Sequence, residues 1–264
     1  MTLTYVYCLV RSARRPQVRD AAAGVPGSLD LRALSAGGGL WMIASTVPAT
    51  EYDEAALARG LQDLDWVSRR ALAHEHIVEQ FMTARAVLPM QMFRLFRSDD
   101  RALAHIASGR RMIDRALAQV EGQFEFGLRL TLDEKAARQA GARQVRGGVG
   151  AAGSGTDYLA QKRDLMRVDR AALASARREA NRLYRAMSRE ASRARRRTET
   201  EQASAGSRLL LDAVFLVPSR RAAAFRSSLR THARTLAAGL VISLTGPWPP
   251  YNFVGTARRT QISS

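Results

Sequence analysis

The residues that come closest to a cofactor-binding pattern form a glycine-rich run. Residues 148–153 match G-x-G-x-x-G, which binds dinucleotides when it lies directly between a strand and a helix. About 15 residues separate this run from the preceding predicted strand, and the next acids, Asp164 and Asp169, fall inside a predicted helix. A phosphate-binding loop would need Lys where Thr156 stands. We therefore interpret residues 141–155, which contain six glycines, as a flexible loop.

The histidines and the cysteine do not form a recognisable reactive site either. His74 and His76 are the one closely spaced histidine pair, and helix positions two apart point about 200° away from each other. Both rings would not easily bind one metal ion, so we predict that they lie on a helix surface. The single cysteine, Cys8, excludes an intrachain disulfide, and no G-x-S-x-G motif is present. The sequence therefore predicts a protein that is not an enzyme and needs no cofactor or metal.

The charge is uneven along a chain of otherwise ordinary globular composition. Of 264 residues, 46% are hydrophobic and 25% charged, and 41 Lys and Arg face 24 Asp and Glu. Residues 1–140 carry 18 basic and 16 acidic side chains, whereas residues 141–264 carry 23 and 8. A basic half indicates an anionic partner: nucleic acid, a membrane surface or an acidic protein. Because no apolar run approaches a membrane span or a secretory signal, we expect a cytoplasmic protein.

An arginine cluster is the densest basic feature. Arg193, Arg195, Arg196 and Arg197 are four arginines in five residues, at the end of a helix predicted over residues 157–197. They interact favourably with the negative helix end, or they bind nucleic acid or an acidic partner. An RNA-binding sheet would show exposed aromatic residues and a Lys/Arg-Gly-Phe run, which this sequence lacks. Nucleic acid is thus the less favoured partner, and a nucleic-acid-binding regulator stays as the alternative function.

The first half of the chain predicts a mixed α and β domain. Residues 3–10 are typical of a buried strand, and residues 29–34 and 40–47 of a hairpin across three glycines. Thr50 is the expected cap of a following helix, and Ser98 of a later one that continues to residue 120. Apolar residues recur at helical spacing between them, with possible breaks at Gly60 and at residues 63–65: Leu57, Leu61, Leu64, Val67, Leu72 and Val78. Residues 87–96 are apolar but contain a proline, which allows an edge strand at best.

The second half predicts a ferredoxin-like domain. Phe124, Phe126, Leu128, Leu130 and Leu132 alternate with mostly polar residues, which predicts a strand with one buried face. The long helix follows, then an edge strand at 198–204, a central strand at 209–217, a helix at 220–238 and a last strand at 240–245. This β-α-β-β-α-β order is the ferredoxin-like pattern. The predicted fold class is α+β, with domains 1–121 and 122–245 and a tail 246–264.

The predicted tail is rich in proline and aromatic residues. Trp248, Tyr251 and Phe253 lie among Pro247, Pro249 and Pro250, which favour an extended backbone. Two interpretations stay open: the aromatic rings fold back to cover the sheet or seal the two domains, or they form a hydrophobic docking arm. Under the second, all three are candidate partner-binding residues together with the arginine cluster.

The tail and several other segments resemble the gas vesicle protein F/L family. The tail segment 244–254 is the most specific of them. The others agree in order along nearly the whole chain: Tyr5-Val6-Tyr7, the helix at His74-Glu75-His76, Val87-Leu88-Pro89 with Phe93 and Phe96, Phe124-Glu125-Phe126-Gly127-Leu128, Tyr158-Leu159, and Phe215-Leu216-Val217.

The resemblance implies a function as well as a fold. It implies an N-terminal α+β domain followed by a ferredoxin-like domain, and a non-enzymatic accessory protein of gas vesicle assembly. Members are thought to bind the small hydrophobic shell protein, help it assemble and remain as minor vesicle components. The partners to expect are therefore the shell protein and other gas vesicle accessory proteins, and the location is the cytoplasm and the gas vesicle.

Overall fold

The computed structural model describes residues 1–18, 24–137, 139, 155–197 and 206–254, with residues 155–169 described by their backbone only. The chain forms two compact units: Met1–Glu125 with Trp248–Ser264, and Phe126–Pro247. The predicted tail is thus divided between them at Trp248. The division into domains 1–121 and 122–245 and a tail 246–264 stays a prediction. The glycine-rich run and the predicted strand 198–204 lie outside the described residues.

The first unit contains an antiparallel sheet whose central strand is buried on both faces. Its strands are β1 (Thr2–Arg11), β2 (Leu29–Ser35), β3 (Leu40–Pro48), β4 (Ala86–Pro89) and β5 (Leu95–Phe96). Their order is β2-β3-β1-β4, and β5 also pairs with β1. The predicted first strand and hairpin are confirmed, whereas the edge strand predicted over residues 87–96 is two short strands, β4 and β5, with residues 90–94 between them. Gly37, Gly38 and Gly39 have φ values of +78°, +58° and +72°, a conformation that glycine adopts without steric cost.

Five helices flank this sheet in the described part of the first unit. They are α1 (Ala49–Tyr52), α2 (Glu54–Gly60), α3 (Leu64–Glu79), α4 (Asp99–Ser108) and α5 (Arg110–Val120). Ser98 caps α4 as predicted, by accepting a hydrogen bond from the Arg101 N–H. The Thr50 cap is wrong: Thr50 lies inside α1, and Asp53 and Asp63 cap α2 and α3. The helix predicted from Ser98 to residue 120 is divided at Gly109.

Two hydrophobic clusters hold the first unit together, one on each face of the sheet. The cluster beside α3 includes Tyr5 and Tyr7 of β1 with Ile77 and Val78 of the helix. The cluster on the other side joins neighbouring strand positions to α4 and α5: Val6, Leu9, Ala102, Ile106 and Leu117. Neighbouring β1 residues point to opposite faces, so a continuous apolar strand is buried between two helical layers.

The second unit has the predicted β-α-β-β-α-β order. Its elements are β6 (Gln123–Asp133), α6 (Gly155–Glu190), β7 (Arg193–Arg196), β8 (Ser207–Pro218), a 3₁₀ turn (Ser219–Arg221), α7 (Ala222–Ala233) and β9 (Leu240–Trp248). The strand order is β7-β8-β6-β9, with β8 and β6 central, as the ferredoxin-like pattern requires. Both helices cover one face, because the Phe215 ring centroid lies 5.9 Å from Tyr184 on α6 and 5.6 Å from Phe225 on α7. The fold class α+β is confirmed.

Two details of the second unit differ from the sequence prediction. The long helix ends at Glu190, and the four residues from Arg193 form β7, where Ala194 lies opposite Phe215. The arginine cluster is therefore an edge strand and the residue after it, not a helix end. On β6, Phe126, Leu128 and Leu130 are buried as predicted, whereas Phe124 is half-buried.

Candidate functional site

The C-terminal aromatic segment, residues 248–254, packs against the first unit. Phe253 is 2% exposed, and Tyr251 contacts the cluster beside α3. Trp248, the last residue of β9, is half-buried. The segment then turns, since the N–H groups of Phe253 and Val254 donate to the Pro250 carbonyl at 3.1 and 3.2 Å. Of the two interpretations left open by the sequence, the segment shows intramolecular packing, and its partner-binding role stays a prediction.

A buried carboxylate anchors this segment. Glu125, 4% exposed, accepts a hydrogen bond from the Asn252 N–H at 2.8 Å and another from the Asn252 side-chain amide. Such charge-assisted hydrogen bonds are stronger than neutral ones. Burial, and then the carboxylates of Glu79 and Glu125, raise the pKa of Glu75. The aromatic segment therefore lies beside a small group of acidic side chains.

The Tyr251 hydroxyl lies in this same environment. Burial and the Glu75 carboxylate raise the pKa of Tyr251, so the phenol is neutral at physiological pH. Among the described residues its oxygen has no hydrogen-bond partner, although it is buried. An unpaired buried hydroxyl destabilises the folded state. The ring therefore stabilises the segment, and the hydroxyl opposes it.

The arginines of β7 point to alternate sides of the sheet. Arg193 and Arg195 are exposed. Arg196 points to the helix side, where it donates to the Asn181 side-chain oxygen at 2.6 Å and covers the Tyr184 ring at 4.4 Å from the centroid. The strand therefore separates the cluster, and it does not present four arginines as one patch.

Arg197, immediately after β7, belongs to an ion-pair group on β8. Its Nε donates to Asp212 at 2.9 Å, and the Nε of Arg129 donates to the other oxygen of the same carboxylate at 3.1 Å. The Asp212 side chain is 1% exposed, while the two arginine side chains are 35% and 44% exposed. A buried carboxylate is tolerated because it is paired twice. Arg197 thus holds the sheet together.

The histidine pair is separated by α3. His74 is 2% exposed and its Nδ1 lies 2.9 Å from the Tyr5 hydroxyl, whereas His76 is exposed. Burial lowers the pKa of His74 to about 4, so its ring is neutral in the folded protein. The side chains diverge as predicted, but the surface assignment is wrong for His74, which is a core residue.

The described residues contain no other arrangement that resembles a reactive centre. Within them, no group of three or more His, Cys, Asp or Glu side chains is placed to hold a metal ion. Cys8 is fully buried, and burial raises the pKa of its thiol, which disfavours the nucleophilic thiolate. No helix in the described ranges is long and apolar enough to cross a membrane.

Three exposed leucines form a feature that helical periodicity did not reveal. Leu61, Leu64 and Leu72 are 54%, 78% and 72% exposed, although they belong to the apolar residues that recur at helical spacing. Leu61 is the C-cap residue immediately after α2, and Leu64 and Leu72 lie on α3. We call these three residues the leucine ridge. Large exposed apolar side chains are candidates for contact with a partner protein.

Comparison with known proteins identifies the family. The family model described as gas vesicle synthesis protein GvpL/GvpF matches residues 3–255. The chain belongs to the GvpL/GvpF family. Gas vesicle protein L of Streptomyces sp. (strain CB03234) is 29% identical to it over an alignment 265 residues long, which covers 97% of this chain and 94% of that protein. The resemblance found in the sequence is confirmed, and the chain is a gas vesicle accessory protein.

Solved structures agree with the fold. The crystal structure of the gas vesicle protein GvpF from Anabaena sp. PCC7120 has a TM-score of 0.68 at 15% identity, covering 97% of this chain and 99% of that one. GvpF from Microcystis aeruginosa gives 0.64 at 14% identity, covering 96% and 99%. At these identities the likeness shows that the GvpL/GvpF fold extends over this chain, and it carries no statement about individual residues.

Proposed function

We propose that this chain is a non-enzymatic assembly factor that binds the hydrophobic gas vesicle shell protein and keeps it from aggregating before incorporation. Membership of the GvpL/GvpF family supports the association with gas vesicles. A shell subunit with an apolar gas-facing surface aggregates in water unless another surface covers it. The observation that carries the proposal is the leucine ridge, three exposed leucines of the first unit.

The ridge has enough apolar surface to matter for binding. Its three side chains are between 54% and 78% exposed, and burying one leucine is worth roughly 1.5–3 kcal/mol. Scaled by their exposed fractions, the three leucines therefore offer about 3–6 kcal/mol before the cost of association. This suits a transient complex, which an assembly factor needs in order to release the subunit.

Co-purification of this chain with the shell protein tests the proposal. The variant L64A/L72A should capture the shell protein at least about tenfold less well, since each ten-fold step in Kd is worth about 1.4 kcal/mol. The matched control is L29A/M112A, which removes two other exposed apolar side chains of the same unit, 67% and 57% exposed. Equal capture by L64A/L72A and the wild type would refute the role of the ridge.

An aggregation assay tests the protective function separately. Shell protein diluted from denaturant should scatter less light when the wild-type chain is present, and L64A/L72A should lose this effect while L29A/M112A keeps it. If the wild-type chain binds the shell protein without reducing scattering, it is a binding partner and the chaperone-like function is refuted.

The aromatic segment is proposed as a second contact with the shell protein. Trp248 is half-buried and contributes its accessible ring area directly, whereas Phe253 and Tyr251 hold the segment against the first unit. W248A should weaken capture without a large loss of stability. F253A should lower the stability of the protein, because Phe253 holds the segment in place. If F253A melts like the wild type and yet captures the shell protein poorly, this division of roles is contradicted.

The arginine cluster is proposed to contribute through charge rather than through apolar contact. Arg193 and Arg195 are exposed on β7 and would increase the association rate with acidic partners, while Arg196 and Arg197 are positioned by Asn181 and Asp212. R193Q/R195Q should lower the association rate at low salt, and the difference from the wild type should disappear at high salt. A change confined to the dissociation rate would contradict this role.

A further inference from the structure

A second basic feature lies on α6, apart from β7. Four exposed arginines occupy positions i, i+4, i+7 and i+11 of the helix: Arg178, Arg182, Arg185 and Arg189. At 3.6 residues per turn this spacing places them on one side, along about 16 Å of the helix axis. Each follows by two positions a buried residue of the opposite side: Ala176, Ala180, Leu183 and Met187. We call these four arginines the arginine row.

The row is unfavourable for the isolated helix. Like charges three or four residues apart destabilise a helix by about 0.2–0.5 kcal/mol per pair, and the row contains three such neighbouring pairs. Glu179 compensates only in part, since its carboxylate lies 3.8 Å from the guanidinium of Arg182, which is 70% exposed. The apolar side of α6 packs in the core of the unit, whereas the side that carries the arginine row does not. An anionic partner would relieve the repulsion.

We propose that the arginine row binds an acidic α-helix of a partner protein. A helix lying along α6 presents Asp or Glu at the same i, i+4, i+7 and i+11 spacing, so that each carboxylate meets one guanidinium. Arginine suits this contact because its planar fork bonds a carboxylate through two N–H groups. The contact needs no part of the leucine ridge, and the two can therefore be tested separately.

A protein partner fits the surroundings of the row better than nucleic acid does. Single-stranded nucleic acid is bound through aromatic rings on which bases stack, but Phe215 and Phe225 are buried and Arg196 covers the ring of Tyr184. The carboxylate of Glu179, 3.8 Å from the guanidinium of Arg182, interrupts the positive charge along the row and would repel a continuous phosphate backbone. A partner helix whose acidic residues meet only the four arginines avoids this repulsion and needs no aromatic ring for stacking.

Fluorescence anisotropy with synthetic peptides tests this proposal on the full-length chain. The probe is a labelled helical peptide with Glu at i, i+4, i+7 and i+11, and its control is a peptide of the same composition in which the glutamates are scrambled. The wild-type chain should bind the first peptide at least about fivefold more tightly, since exposed ion pairs are individually weak. Equal binding of both peptides would overturn the proposal.

Two sets of variants separate the row from overall charge. R178Q/R182Q/R185Q/R189Q should weaken peptide binding about tenfold, since four exposed ion pairs are lost. R220Q/R221Q/R230Q/R234Q removes the same charge from exposed arginines elsewhere in the unit and should change binding less than about threefold. Equal losses would show that net charge alone attracts the peptide, which would overturn the proposal.

A charge exchange and a nucleic acid probe complete the test. Replacing the four arginines by Glu should abolish binding of the acidic peptide and create binding of a lysine peptide with the same spacing. The glutamine and the glutamate variants of the row both keep the buried side of α6, so their circular dichroism spectra and melting temperatures should match those of the wild type. If a short DNA duplex binds more tightly than the peptide and loses affinity only in the row variants, the row is a nucleic acid surface and the acidic helix is refuted.

Discussion

Acidification should destabilise this protein through His74, and the position of that side chain gives the size of the effect. The ring is 2% exposed in the cluster beside α3, with its Nδ1 2.9 Å from the Tyr5 hydroxyl. Its Nε2 is buried and makes no hydrogen bond among the described residues, and the Met90 backbone offsets only part of the effect of burial on the pKa of the ring. Burial lowers the pKa of His74 to about 4, whereas an unfolded imidazole titrates near pH ~6.5.

The sign and magnitude follow from proton linkage. The unfolded chain binds the proton more tightly, so the contribution of His74 to stability is complete above about pH 6.5 and falls as the pH drops through 4. The two pKa values differ by about 2.5, which corresponds to about 3 kcal/mol when the loss is complete. This is a large fraction of the roughly 5–15 kcal/mol by which a typical domain is stable.

Urea unfolding from about pH 7 to pH 4 measures this contribution when the wild type is compared with H74Q, because glutamine does not titrate. H74Q should be less stable near neutral pH, and its disadvantage should shrink by about 1.4 kcal/mol per pH unit below about pH 6. H76Q, which changes the exposed histidine, is the control and should follow the wild type. Parallel loss of stability in H74Q and the wild type would refute the reasoning.

Three further substitutions should change stability in urea unfolding. Phe253→Ala should cost about 3 kcal/mol, because it empties a fully buried aromatic site; a loss below about 1 kcal/mol would mean that the segment does not pack on the first unit. Asp212→Ala should cost about 2 kcal/mol, since it leaves Arg129 and Arg197 without their shared carboxylate, and no loss would contradict that pairing. Tyr251→Phe should be neutral or stabilise by up to about 1 kcal/mol, since it removes a buried hydroxyl that has no partner among the described residues; clear destabilisation would reveal a hydrogen bond.

Local patterns in the sequence were enough for much of the fold. The alternation along β6 predicted its buried face, because successive side chains of a strand point to opposite sides. Ser98 predicted the start of α4, because a serine oxygen satisfies an N–H group that the first helical turn leaves unpaired. Three consecutive glycines predicted the hairpin between β2 and β3. The order of elements from β6 onward predicted the ferredoxin-like unit, and the segment 244–254 indicated the family.

Periodicity did not give the exposed face of a helix that restarts, although the sequence indicated the break itself. Leu57, Leu61 and Leu64 have helical spacing, but α2 ends at Gly60 and Asp63 caps the next helix. A break resets the rotation of side chains around the axis, so residues on its two sides no longer share a face. Leu61 and Leu64 lie on the two sides of this break, and only the packing of α3 shows that Leu64 and Leu72 are exposed.

The sequence by itself therefore determined the elements whose signals are local, together with the uneven charge and the family. The tertiary structure decided what depends on distant residues. Arginine and alanine favour a helix locally, yet Arg193–Arg196 is a strand because it hydrogen-bonds to β8. The aromatic segment packs on the first unit because Glu125 and the cluster beside α3 receive it. These contacts join residues far apart in the chain, and propensity and periodicity describe only near neighbours.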